Sequence, residues 1–193
     1  MGSRILVIDG HPDPAPERFC HALAEAYVDG ARSTGRETRL VGIADADFPL
    51  LRSARDFSTP PDTSMIARAR DDVLWADHLV FVFPLWLGGA PALLRAFLKQ
   101  MATGAFVADI SRSGVQQKLK GRSARLIVTM GMPALVYRLW FQEHGVRNIM
   151  QGVLGLGGIA PIRRTLFGMI EGVGEQVQRQ RLDEVRRLGR DGR

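Results

Sequence analysis

Short apolar runs alternate with longer stretches of helical spacing along the whole chain. Arg4–Asp9 (RILVID) has the length and character of a buried strand and ends at Gly10. Phe19–Ser33 follows, with Phe19, Leu23, Ala26 and Tyr27 on one helical face. Thr38–Val41 reads as a second short strand after the break at Gly35. Asp62–Trp75 predicts a helix whose stripe is Met65, Ile66, Ala69, Val73 and Leu74. His78–Phe83 (HLVFVF) is the most apolar run and predicts a third strand, stopped by Pro84, which has no N–H for a ladder. Ala90–Met101 predicts a helix with Pro91 near its start, where a missing N–H is tolerated. Ser123–Thr129 predicts a fourth strand, and Leu135–Met150 a mostly helical stretch. Pro161–Phe167 predicts a fifth strand, which Arg163 and Arg164 place at a sheet edge, and Gly172–Leu188 a terminal helix.

This alternation implies parallel strands joined by right-handed crossovers. Runs as apolar as Leu79–Phe83 imply burial on both faces. The expected class is α/β, an open three-layer sheet in one domain over residues 1–193. No internal repeat or interdomain linker interrupts it. Segments 45–61 and 104–122, rich in Pro, Ser and Gly or in charge, read as long loops.

The bulk numbers narrow the setting. The chain has 193 residues, 46% hydrophobic and 24% charged, an ordinary globular balance. Cys20 is the only cysteine, so no internal disulfide forms and a reducing compartment, the cytoplasm, is expected. Met1–Arg4 runs straight into a short apolar stretch, unlike a signal peptide, and no apolar run approaches the roughly 20 residues that span a bilayer. The net charge is +6, and six arginines crowd the end of the chain: Arg179, Arg181, Arg186, Arg187, Arg190 and Arg193. They alternate with Glu175, Asp183, Glu184 and Asp191 and lack interleaved aromatics, so a solvated face is favoured over a nucleic-acid surface. Four histidines and one cysteine lack metal-ligand spacing, and His21 and His78 read as structural.

In an open parallel sheet, ligands bind beyond the carboxyl ends of the strands. Three segments leave strands at that edge. The first, Gly10–Phe19, leads into a helix N-terminus suited to a phosphate, with His11 and Arg18 as added donors; a proline-stiffened turn with His11 capping backbone is an equal reading. It matches neither the P-loop nor the dinucleotide fingerprint. The second, Phe83–Pro91, has two glycines that admit a flat ligand and Trp86 to lie beside it; taken alone, Trp86 filling core is the commoner outcome. The third, Thr129–Pro133 with Tyr137 beyond it, brings a hydroxyl, a glycine backbone and a phenol to the same edge, though most tyrosines in such a place simply pack.

The order of these turns resembles the NAD(P)H:quinone oxidoreductase branch of the flavodoxin-like superfamily, including the small bacterial NAD(P)H dehydrogenases and modulators of drug activity. The resemblance runs from about Arg4 to Phe167 through GHPDP…RFCHALAEAY, FPLWLGGAPALLRAFLKQM and TMGMPALVY, of which the middle segment is the most specific. It implies a flavodoxin-like α/β/α sandwich with five parallel strands in the order 2-1-3-4-5. It implies that His11, Arg18 and Phe19 hold the flavin phosphate. Pro84, Leu85, Trp86 and Leu87 would hold the isoalloxazine edge, and Thr129 and Gly131 the third turn. Tyr137 and His144 correspond to the Tyr and His lining the family's substrate site. Three positions depart from the family: Arg18 where Ser is usual, Cys20 where Asn is usual, and Met132 in place of a second glycine.

The implied activity is hydride transfer from NAD(P)H through bound flavin to a quinone-like acceptor, the flavin supplying the hard chemistry. FMN and FAD remain equal alternatives. A homodimer is implied, with Met130–Leu139 and Met101–Phe106 as candidate contact surfaces. A second reading is a regulatory flavoprotein that acts by binding a partner such as a transport protein.

Overall fold

The computed structural model describes residues 4–58, 63–111 and 114–192. The main sheet contains β1 (Arg4–Asp9), β2 (Glu37–Gly42), β3 (His78–Pro84), β6 (Ser123–Thr129) and β7 (Ile162–Phe167). All four neighbouring pairs are parallel and the order is β2-β1-β3-β6-β7, which is the expected 2-1-3-4-5 arrangement in chain order. Two further strands, β4 (Ala108–Ser111) and β5 (Gly114–Gln117), form a separate antiparallel pair within the stretch read as a loop.

The pleat sends alternate residues of β1 to two cores. Ile5 and Val7 pack with Val80, Val82 and Ile127 under α1 (Phe19–Arg32) and α7 (Glu175–Asp191). Leu6 and Ile8 pack with Phe81, Phe83 and Leu126 under α3 (Ser64–Trp75) and α4 (Ala92–Ala102). A short helix, α2 (Ala54–Ser58), precedes α3. Every residue of β3 is buried, as expected of a central strand with helices on both faces. Helices α1 and α7 cross in close contact at two glycines. A Cβ on Gly30 would stand 2.1 Å from the Arg186 carbonyl oxygen, and one on Gly189 would stand 2.2 Å from that of Tyr27.

Several expectations are corrected. Leu74 is exposed rather than in the α3 stripe. Pro91 is the cap before α4, not a residue inside it. The start expected at Asp62 falls outside the described residues, and α3 begins at Ser64. The stretch expected to be mostly helical over Leu135–Met150 is so, but divided into α5 (Ala134–Leu139), α6 (His144–Asn148) and a π-helical turn, Ile149–Gly155. The break falls at Gln142 and Glu143, both with left-handed backbone (φ 48° and 56°). That bend turns the Glu143 carboxylate inward to Arg138 and Arg164. No described helix is long and apolar enough to cross a membrane.

Candidate functional site

A cleft of about 550 Å³ lies beyond the carboxyl ends of β1, β3 and β6. Its lining takes in His11, Arg18 and Phe19 from the first turn, Pro84, Leu85 and Trp86 from the second, and Thr129 and Gly131 from the third. At one end is the N-terminus of α1. No side chain caps that helix and the His21 N–H is taken by the Arg18 carbonyl, which leaves the Phe19 and Cys20 N–H groups and the positive end of the dipole toward the cleft.

The first turn is held by a network of acids and histidines. Asp9 accepts the His11 N–H at 3.1 Å through one carboxylate oxygen and is bonded to His21 Nδ1 through the other. His21 Nε2 lies 3.0 Å from the Asp13 carbonyl, so both ring nitrogens of His21 face oxygen acceptors. Burial opposes protonation of His21, but the Asp9 carboxylate outweighs it and raises the pKa. His11 is pushed the opposite way, chiefly by burial. His11 Nδ1 sits 3.1 Å from the Asp13 N–H, an arrangement that leaves Nε2 for a ligand. Arg18 bonds Asp13 at 2.7 Å, and the Ala15 N–H bonds the same carboxylate at 3.0 Å. The Ala15 bond is the main reason the Asp13 pKa is depressed.

The second turn is a two-residue hairpin in which Trp86 and Gly89 exchange both backbone bonds, at 2.8 and 3.0 Å. Leu87 and Gly88 occupy its corner at φ 47° and 80°, values suited to a primed turn. Glycine takes that conformation freely, whereas Leu87 takes it at a steric cost. Trp86 is 52% exposed at the rim, its ring 6.1 Å from that of His11. In the third turn the Thr129 hydroxyl is buried against Cys20 Sγ at 3.3 Å. Burial raises the Cys20 thiol to about 12, so it stays protonated. Among the described residues Gly131 N–H has no protein acceptor, and the absent side chain keeps that wall of the cleft open.

A family model described as the flavodoxin-like fold matches residues 3–190. The chain belongs to that family. Relatives of this flavodoxin-like protein include an uncharacterized NAD(P)H oxidoreductase of Haemophilus influenzae, 22% identical over 185 residues, with 92% of this chain and 90% of that protein covered. An FMN-dependent NADH:quinone oxidoreductase of Macrococcus caseolyticus is 22% identical over 208 residues, covering 96% of each. Among solved structures, an NAD(P)H:quinone oxidoreductase from Methanothermobacter marburgensis superposes with a TM-score of 0.80 at 18% identity, over 97% of this chain and 96% of that one.

Three of the residues singled out in the sequence lie outside the cleft lining of this flavodoxin-like chain. Leu87 projects wholly into solvent at the hairpin tip. Tyr137 is fully buried; its hydroxyl donates to the Gly88 carbonyl and accepts the Val146 N–H, both at 3.3 Å. It thereby fastens the second turn to α5 and α6. His144 is exposed at the start of α6. Sequence reasoning missed Asp9, whose signal was an acid ending β1; its partner beneath the first turn, His21, was read as structural, and its two bonds fit that role. It also missed Ile170, Glu171 and Gln178, which close the cleft from beyond β7. Among the described residues no group of three or more His, Cys, Asp or Glu side chains is placed to hold a metal ion.

Proposed function

We propose that the protein binds a flavin, FMN, in this cleft and transfers hydride from NAD(P)H to a quinone-like acceptor. The observation that carries the reading is the meeting of three separate turns around one cleft with an uncapped helix N-terminus at its end. The volume suits a small-molecule ligand, and relatives covering nearly the whole chain bear the names of flavin and quinone enzymes.

The chain's own contributions follow from the geometry. The α1 N-terminus, His11 Nε2 and Arg18 receive the phosphate end, where helix dipole and cation both favour negative charge. Phe19, Leu85 and Trp86 give apolar surface for a planar ring. The Gly131 N–H is an available donor at the opposite wall, where a reduced ring carries charge. Tyr137 acts as a positioning residue, through the Gly88 carbonyl it holds. The flavin would accept and pass on the electron pair; the protein orients it and shields it from water.

A second copy of the chain completes the proposal. Leu135, Val136, Leu139 and Trp140 on and after α5 are exposed, and Leu87 joins them beside the cleft. We assign this apolar patch to a homodimer contact. The Met101–Phe106 stretch fits that role less well, since Met101 and Thr103 are buried in the protomer.

The decisive test is reconstitution with FMN, desalting, and assay of quinone-dependent NADH oxidation. Retained yellow colour with turnover is expected. A colourless protein overturns the assignment. Retained flavin without turnover would favour the partner-binding reading.

A further inference from the structure

A second cavity, of about 520 Å³, opens along the outer edge of β7 and shares no lining residue with the cleft. β7 is the last strand of the sheet, so only its inner edge is paired. Its odd-numbered residues carry the ladder to β6: the Pro161 and Phe167 carbonyls accept from Ala124 and Met130, and Arg163 stands level with Arg125. Alternation in a parallel ladder turns the N–H and C=O groups of Ile162, Arg164 and Leu166 outward, and these residues line the cavity.

Four arginines, Arg125, Arg138, Arg163 and Arg164, share that lining with a single carboxylate, Glu143. The Glu143 side chain is 3% exposed and clamped by Arg164 and, at 3.3 Å, by Arg138. Arg125 donates to Thr165 at 2.7 Å. Arg125 and Arg163 are direct cross-strand partners, a placement that like charges disfavour.

We propose that this cavity is a binding site for a phosphate-bearing anion, held by Arg138, Arg163, Arg164 and the outward N–H groups of β7. Glu143 takes only part of what two guanidinium groups can donate, since each carries several N–H groups in a planar fork that matches phosphate oxygens. The lining takes in Ala134 and Arg138 of α5 as well as the strand, which fits a small molecule better than an acidic strand laid along the edge, which would need the edge alone.

Protein loaded with FMN and desalted is titrated with inorganic pyrophosphate, against sodium chloride of equal ionic strength, by calorimetry. Saturable binding is expected, weakened about tenfold or more in Arg163→Glu, the loss of a charge-assisted bond. Arg138→Gln, at a largely exposed side chain, is the second variant, and thermal melts confirm that both remain folded. ADP in place of pyrophosphate separates a nucleotide source from an inorganic one. The proposal falls if pyrophosphate produces no more than chloride does, if both variants bind as tightly as the parent, or if only a glutamate-rich peptide binds.

Discussion

At the scale of single residues, protonation is where burial shows most clearly. His78 lies in the sheet with its ring stacked on Tyr27 and Nδ1 2.8 Å from the Ser123 hydroxyl. Burial first, then Arg125 and Arg163, lowers its pKa from 6.5 to about 4. The unfolded chain therefore binds a proton at His78 in a range where the folded one does not. Stability is fully present above about pH 6.5 and is lost as pH falls toward 4, by roughly 3 kcal/mol if no other group compensates. Urea midpoints of the parent and of His78→Gln between pH 7 and pH 4.5 check this: the variant should lose much of the acid slope, and an unchanged slope would refute it. His21 runs the other way. Its raised pKa supports the fold below about pH 6.5 and withdraws that support as pH climbs through the folded value.

At the scale of elements, sequence legibility tracked how locally each element is determined. β1, β3 and β6 are continuous apolar runs buried on both faces, and their limits were readable to within a residue. The first and second turns were readable because they leave such strands, and Trp86 proved exposed rather than core. The break at Gln142 and Glu143 was not readable. It depends on a carboxylate finding Arg164, 21 residues onward, and local periodicity carries no trace of such a pairing. The β4–β5 hairpin escaped notice because three of the four β4 residues and most of β5 are exposed, so no apolar alternation marks them. The Tyr137 phenol was expected to line the substrate site; its hydroxyl instead bonds the carbonyl of Gly88, far away in sequence.

The crossing of α1 on α7 allows a sharper forecast at this scale. Alanine in place of Gly30 gains up to about 1 kcal/mol of helix propensity. Its Cβ would also strike the Arg186 carbonyl oxygen, at 2.1 Å, and a backbone atom cannot rotate away. Overpacking of this kind costs about 1–3 kcal/mol, so Gly30→Ala should be net destabilising in urea melts, and a stabilised variant would show that the helices slide apart freely.

At the scale of the molecule, charge and apolar surface are separated. Two arginines of α7 pair within the helix, Arg179 with Glu175 and Arg186 with Asp183, each at 2.8 Å, while Arg181 reaches off it to the Gly168 carbonyl at 2.7 Å. Leu87 and Trp140, the two most exposed large hydrophobics among the described residues, lie instead on the Trp86–Gly89 hairpin and just after α5. If that patch is a dimer contact, sedimentation should show two chains per particle. Trp140→Glu should then yield a folded monomer, because a charge buried without a partner costs several kcal/mol. A parent protein that sediments as one chain at micromolar concentration would remove the dimer from the proposal.

Trp86, half in solvent at the rim and close to the His11 ring, gives the site an optical voice of its own. Oxidised flavin has a near-ultraviolet absorption band that overlaps indole emission, so a flavin bound here would dim this tryptophan and its release would brighten it. Trp75, beneath the Arg39 guanidinium, and the outward Trp140 lie in other settings. If flavin binds as proposed, the ring at the rim of the cleft would thus report its coming and going in real time, with no label attached.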